Sequence, residues 1–294
     1  MPPISPEILK QVRAIELRTR GIVATLFAGE YRSVFRGQGM EFAEVRAYQH
    51  GDDFRHIDWN VSARLSTPYV KTFTEERELT VMLLVDQSGS TRFGQPRTKA
   101  ALAIEVAAVL ALAAARQNDL IGALLFTDEV EQVIPPAKGR RHALRVIRDL
   151  LAFQPAGRRT NLDVGLRYAA QLLVRESIVV VVSDFLATGW EPALRRLAAA
   201  HDVIAIAVDD PRERRLPEAG WIELEDAETG ARAVVNTADR MVRIALSQEY
   251  DRRRSERNRI LSSLGVDTVA LDTAEDYGRP LRSAFARRAK RLRR

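Results

Sequence analysis

From residue 80 onwards, short apolar runs alternate with longer segments of helical periodicity. The run at 178–183 is β-branched at almost every position, as expected of a strand that is buried on both faces. Similar runs predict further strands at 80–85, 120–126, 203–208 and 266–271. Strands that are separated by helices favour a doubly wound, mostly parallel α/β sheet with helices on both faces.

Two features depart from this parallel pattern. A short strand at 130–134 follows a turn after the 120–126 strand, so we expect the two to pair antiparallel. Segments 221–225 and 232–235 are joined by a Gly-containing turn and predict an inserted hairpin at about 220–236. A long helix and a final basic helix complete the predicted domain.

The composition changes near residue 79. The earlier part has an amphipathic helix pattern at about 6–19, followed by a Gly- and Arg-rich stretch without clear periodicity. We therefore predict an N-terminal Arg/Asp-rich block at 1–78 and an α/β domain at 79–294. In such a domain a ligand is expected at the carboxyl ends of the parallel strands.

Composition excludes several classes of protein. The chain has no cysteine, which rules out disulfide frameworks, iron–sulfur clusters and a cysteine nucleophile. Its longest apolar stretch, 106–115, is shorter than the roughly 20 residues that a membrane-spanning helix needs. The opening residues show no secretory signal pattern. We therefore expect a cytoplasmic protein without a membrane span.

The net charge of +6 is concentrated at the end of the chain. Residues 279–294 contain eight basic and no acidic side chains, so the rest of the sequence is close to neutral. This pattern is typical of a solvated helical end, and the alternative is a contact with nucleic acid or membrane. No aromatic residue lies among the late arginines of 287–294, which makes nucleic-acid binding less favoured.

Oxygen-bearing side chains follow two of the predicted strands. The first strand runs into Asp86, Ser88 and Ser90, and the 178–183 strand runs into Asp184. Between them in sequence, Thr160 offers another hydroxyl at the start of a predicted helix. Each residue could separately cap a helix, but carboxylates and hydroxyls meeting at one sheet edge match a hard cation, Mg²⁺ before Mn²⁺ or Ca²⁺.

These residues, in this order, resemble the metal-ion-dependent adhesion site of von Willebrand factor A domains, and the resemblance covers about residues 79–290. In that family the first Asp, two Ser and a Thr bind or orient the ion, and the second Asp holds a coordinating water. The resemblance assigns these roles to Asp86, Ser88, Ser90, Thr160 and Asp184. It further implies that an Asp or Glu of a partner protein completes the coordination.

The N-terminal block carries a second resemblance. The segments 36–42 and 45–64, followed by the 80–85 strand and the Asp86 loop, closely resemble the bacterial family called domain of unknown function 58. Many relatives have transmembrane helices before this block, and we expect this chain to be the short form without them. Family members are commonly encoded beside AAA+ ATPases of the MoxR type, which implies such an ATPase as the partner.

A cluster in this block admits two interpretations. His56 and Asp58, with Asp52 and Asp53, could form a second metal site or an acid/base pair. We favour a charge-paired network that fixes an irregular loop. Its predicted members are Arg46, Arg55 and Arg64 with the three aspartates, anchored by the apolar side chains of Phe54, Ile57 and Trp59.

The sequence lacks the usual catalytic motifs. It has no Gly-x-Ser-x-Gly elbow, Walker A loop, Gly-x-Gly-x-x-Gly turn after a strand, or His-Glu-x-x-His helix. We therefore predict a Mg²⁺-dependent protein-interaction module and not an enzyme: an adaptor that works with a MoxR-type ATPase in chaperone-like maturation or regulation of a client. The alternatives are a metal-assisted phosphohydrolase and a nucleic-acid-binding protein that uses the basic tail.

Overall fold

The computed structural model describes residues 6–27, 41–49, 51–65, 67–74 and 79–292. In chain order the helices are α1 (Pro6–Phe27), α2 (Trp59–Leu65), α3 (Lys99–Arg116), α4 (Arg140–Ala152), α5 (Leu162–Leu172), α6 (Glu191–Ala200), α7 (Pro211–Arg214), α8 (Arg240–Ser263) and α9 (Gly278–Leu292). The strands are β1 (Glu41–Ala47), β2 (Tyr69–Thr74), β3 (Thr80–Asp86), β4 (Leu120–Phe126), β5 (Val130–Ala137), β6 (Ile178–Ser183), β7 (Asp202–Asp209), β8 (Trp221–Glu225), β9 (Arg232–Asn236) and β10 (Asp267–Asp272).

A six-stranded sheet organises the larger part of the chain. Its strand order is β10-β7-β6-β3-β4-β5, and all neighbours are parallel except β4 and β5, which are antiparallel. Every residue of β6 is buried, as its unbroken apolar pattern predicts. The predicted fold class, a mostly parallel α/β sheet covered by helices, is confirmed.

Helices cover both faces of this sheet. On one face, alternate strand residues such as Met82 and Val181 pack with α5 and α6 in one hydrophobic cluster. Helix α3 contacts the four strands β3, β4, β6 and β7, and its buried Leu102 and Val106 lie outside that cluster. Since successive strand residues point to opposite faces, α3 covers the other face.

The chain divides into two compact units, residues 1–34 with 80–294 and residues 35–79. Helix α1 belongs to the larger unit, where it packs on α3 and α4. Its Glu16 pairs with Arg140 at 2.5 Å, and its Arg18 pairs with Glu105 at 3.1 Å. None of the described helices is long and apolar enough to span a membrane.

In the smaller unit, β1 and β2 form an antiparallel pair. Arg46 makes two hydrogen bonds to Asp52, at 2.8 and 2.7 Å, as the charge-network interpretation predicts. The other two aspartates act as caps: Asp53 accepts from Arg55 N, and Asp58 accepts from the amides of Asn60 and Val61. These contacts account for the carboxylates without a second metal site.

The predicted apolar anchors of this unit are partly wrong. Phe54 and Trp59 are 68% and 71% exposed, so neither side chain is held in a core. The Arg55 guanidinium lies over the Phe54 ring, 5.9 Å from its centroid. The loop is therefore fixed by carboxylate caps and the Arg46 pair, with Ile57 bridging to the buried Val70.

Candidate metal site

The predicted donors lie where the parallel strands end. Strands β3 and β6 are neighbours in the sheet, with Val85 opposite Val182. Asp86 is the last residue of β3, and Asp184 directly follows β6. Both carboxylates are buried. The two strand ends therefore bring together aspartates that are almost 100 residues apart in sequence.

Asp86 lies where β3 runs into the loop at residues 87–98, called the β3 loop. Its Oδ1 accepts a hydrogen bond from Ser88 N at 2.9 Å, and its Oδ2 accepts one from Ser183 Oγ at 2.7 Å. Burial and the adjacent charge of Asp184 raise the pKa of Asp86 to about 6. A buried carboxylate beside a second one favours a nearby positive charge.

The two serine hydroxyls converge on the aspartates. Ser88 Oγ and Ser90 Oγ are 3.2 Å apart. The Ser88 side chain favours the charged form of Asp86, and the Ser90 side chain favours that of Asp184. Thr91 Oγ1 donates to Ser88 O at 2.7 Å and so fixes the loop. Four of the five predicted residues thus form one contiguous polar cluster.

The loop before α5 approaches the same cluster. Gly89 N donates to Arg158 O at 2.7 Å, which brings the Thr160 segment against the β3 loop. The Thr160 hydroxyl donates to Glu228 Oε1 at 2.6 Å. Glu228 lies in the turn between β8 and β9. It was not among the residues predicted from the sequence.

A second unforeseen residue, Lys99, opens α3 beside the site. Its Nζ lies 2.8 Å from Asp184 Oδ2 and 2.7 Å from Glu213 Oε1, and the side chain is 1% exposed. Burial alone would lower the pKa of Lys99, but the charges of Asp184 and Glu213 raise it. Burial alone would raise the pKa of Asp184, but the charge of Lys99 holds that pKa below its usual range.

Helix α8 braces the end of β6 from outside the cluster. The buried Arg257 donates to both carboxylate oxygens of Asp209, at 2.7 and 3.0 Å, and to the backbone carbonyl of Asp184 at 2.9 Å. Bidentate arginine–carboxylate pairs fix geometry as well as charge. Arg257 therefore positions the loop that carries Asp184.

The donor set fits a hard cation. It consists of oxygens only: the Asp86 carboxylate and the Ser88 and Ser90 hydroxyls, beside the Asp184 carboxylate. Such ligands suit Mg²⁺, Mn²⁺ or Ca²⁺ and not zinc or copper. The fifth predicted residue, Thr160, lies in the adjacent loop, and its hydroxyl is directed to Glu228. Within the described residues, Lys99 neutralises Asp184, whereas Asp86 has no ion-pair partner. A bound cation would supply the missing positive charge.

Hydrolytic machinery is not assembled around this cluster. In the described part of the larger unit, both histidines lie at the amino ends of the strands. The His142 Nε2 atom is 2.9 Å from Ile121 O near the start of β4, and His201 directly precedes β7. No group of three or more His, Asp or Glu that could hold a metal occurs among the described residues, so a two-metal hydrolase centre is absent from them.

Comparisons with known proteins identify one family and several solved structures with distant similarity to this chain. The family described as "Protein of unknown function DUF58" matches residues 44–256. The uncharacterized protein Rv1480 of Mycobacterium tuberculosis is 32% identical over 278 residues, which cover 92% of this chain and 87% of that protein.

Two solved structures are more distant in sequence. BatB of Bacteroides thetaiotaomicron is 15% identical, with a TM-score of 0.47 and coverage of 72% of this chain and 99% of that one. The VWA domain of SpRpn10 is 13% identical, with a TM-score of 0.38 and coverage of 70% and 94%.

Proposed function

The chain belongs to the DUF58 family, and from the site that it carries we propose that it is a protein-interaction module whose recognition depends on a divalent cation. The observation that carries this proposal is the meeting of Asp86, Ser88, Ser90 and Asp184 in one polar cluster, with both aspartates buried, at the carboxyl edge of the sheet. Oxygen donors at that edge are suited to a ligand that approaches from outside the fold.

Charge explains why a cation here would recruit a partner. Asp86 is the one carboxylate of the motif available to contact the ion directly, because Asp184 is engaged by Lys99. A divalent ion held by one carboxylate and neutral hydroxyls stays positive. It therefore attracts a further anionic oxygen ligand, and an Asp or Glu of another protein supplies one.

Mg²⁺ is the proposed ion, because it is the hard cation that most often keeps exchangeable positions for an incoming ligand. The proposed partner is a MoxR-type AAA+ ATPase in the cytoplasm, with this chain acting as an adaptor in maturation or regulation of a client. The resemblance of the 36–64 segment to the DUF58 family supports that partner. Binding of the ion is tested separately, in the absence of any partner.

Affinity capture tests the proposal. The full chain is immobilised and exposed to a bacterial lysate in Mg²⁺ or in EDTA, using the wild type and Asp86→Ala. Asp251→Ala is the matched control, because Asp251 pairs with Arg214 on the surface of α8. We expect an AAA+ ATPase to be retained by the wild type and the control in Mg²⁺ only. Equal retention by Asp86→Ala, or in EDTA, would place recognition elsewhere.

A further inference from the structure

The turn between β8 and β9 lies on the candidate metal site. Glu228 Oε1 accepts from the Thr160 hydroxyl at 2.6 Å, and its Oε2 accepts from Thr160 N at 3.3 Å. A Cβ atom added to Gly89 would lie 2.2 Å from Ala227 O and 2.9 Å from Arg158 O. The hairpin tip therefore touches both loops that carry the hydroxyl donors.

The turn is built to present Glu228. The Asp226 carboxylate accepts from Glu228 N at 2.8 Å and Thr229 N at 3.1 Å, and Gly230 N donates to Asp226 O. Of the tip residues 226–230, Glu228 alone is half-buried, and the other four are exposed. The turn is thus held by its own hydrogen bonds, while the Glu228 carboxylate points inwards to Thr160.

Negative charge accumulates around the cluster. Asp86 and Asp184 belong to it, Glu213 shares Lys99 with Asp184, and Glu228 contacts Thr160. Among the described residues, Lys99 is the one cation in ion-pair contact with any of these four carboxylates. Lys99 is already shared by Asp184 and Glu213. A cation at Asp86 would offset the negative charge that Lys99 does not neutralise.

We propose that Glu228 is a ligand of the cation at Asp86, supplied by the chain's own hairpin. It would occupy the place that a partner's Asp or Glu takes, so that the partner must displace the tip to reach the ion. This inference rests on the proposed function, because it needs the cation site.

The hairpin is suited to such an exchange. Its strands form a two-stranded sheet of their own, outside the six-stranded sheet, and Trp221 and Val234 are 72% and 66% exposed. Two-stranded hairpins are only marginally stable without further packing. The contacts of the tip with Thr160 and the β3 loop therefore add to the stability of the hairpin.

Titration of Mn²⁺ into the full chain, in the absence of any partner, tests the inference. The variants are Glu228→Gln, which keeps the shape and removes the charge, and Glu223→Gln as a matched control on the exposed face of β8. Asp86→Asn reports the cation site itself. We expect Glu228→Gln to weaken Mn²⁺ binding at least ~10-fold, since even residues behind a metal ligand typically change affinity by that factor. Glu223→Gln should bind like the wild type.

The outcomes separate the two proposals. If Mn²⁺ binding depends on Asp86 but is unchanged in Glu228→Gln, the role of Glu228 is wrong and the cation site stands. If the wild type binds no Mn²⁺, both proposals are wrong.

Hydrogen exchange gives a second readout that does not depend on affinity. Mn²⁺ should slow amide exchange at 226–230 in the wild type and leave those amides unchanged in Glu228→Gln. Equal protection in both proteins would contradict ligation by Glu228.

Discussion

Lys99 joins the buried Asp184 and the half-buried Glu213, two carboxylates that no other described cation contacts. Its Nζ lies within 2.8 Å of both Asp184 and Glu213, in a helix whose remaining residues are mostly alanine, leucine and valine. Loss of one member of a buried ion pair leaves an uncompensated charge, which is far more destabilising than loss of an exposed pair. Lys99 is therefore the residue on which the stability of the site depends most.

Lys99→Met should lower the free energy of unfolding by about 3–5 kcal/mol, as measured by urea denaturation. Arg167→Ala is the control: the Arg167 side chain is 60% exposed, and the loss of its pair with Asp163 should cost less than about 1 kcal/mol. Adding Glu213→Gln to Lys99→Met should recover part of the loss, because one unpaired carboxylate is removed. A loss in Lys99→Met no larger than in the control would contradict this role.

The five motif residues could be chosen from sequence because hydroxyl and carboxylate side chains follow predictable strand ends. Lys99, Glu213 and Glu228 were missed, since isolated charges in a charged sequence are typical of solvated surface. Lys99 did carry a signal, as the first residue of an otherwise apolar helical run. Glu228 carried none, because its contact with Thr160 exists only once the hairpin is folded onto the sheet edge.

At the scale of elements, the close approach of the hairpin tip to the β3 loop depends on Gly89. A side chain there would collide with the backbone of Ala227 and Arg158, at 2.2 and 2.9 Å. Backbone atoms cannot swing away as the end of a flexible side chain can, so one of the two segments must move.

Gly89→Ala should therefore speed amide exchange at 226–230 and lower the melting temperature. Gly21→Ala is the opposite case: it lies in α1, and an added Cβ would meet no atom within 4 Å. This substitution should stabilise the protein by up to about 1 kcal/mol, because alanine favours helix more than glycine does. Unchanged exchange at the tip in Gly89→Ala would show that the two segments are not in contact.

The four central strands β3, β4, β6 and β7 were predictable because they are buried on both faces and therefore almost wholly apolar. Helix α1 was harder: its pattern predicted an end near residue 19, whereas it continues to Phe27. Its packing on α3 and α4 could not be read from the sequence at all. The exposure of Phe54 and Trp59 could not be read from the sequence either, because carboxylate caps fix the loop without the help of these two side chains.

At the scale of the whole molecule, the basic segment at 279–294 is only partly a solvated tail. Arg288 in α9 is buried and contacts both Asp202 at the start of β7 and Asp267 at the start of β10. Leu281 and Phe285 of the same helix are buried as well. Much of α9 is therefore a packed element of the fold.

Arg288→Met should lower the free energy of unfolding by about 3 kcal/mol, because two carboxylates at the amino edge of the sheet lose their cation. Its exposed neighbour Arg287 provides the control, and Arg287→Ala should change stability by less than about 0.5 kcal/mol. Equal effects of the two substitutions would mean that Arg288 acts only as surface charge.

Calorimetric titration of Mg²⁺ into the full chain tests the cation site most directly, with Asp86→Asn and the surface variant Asp251→Asn beside the wild type. We predict one Mg²⁺ per chain for the wild type and Asp251→Asn, and no measurable binding for Asp86→Asn. In EDTA, Asp86→Asn should be at least as stable as the wild type, since it removes a buried charge beside Asp184. Equal Mg²⁺ binding by Asp86→Asn and the wild type, or no binding by the wild type, would contradict a cation site at the carboxyl edge of the sheet.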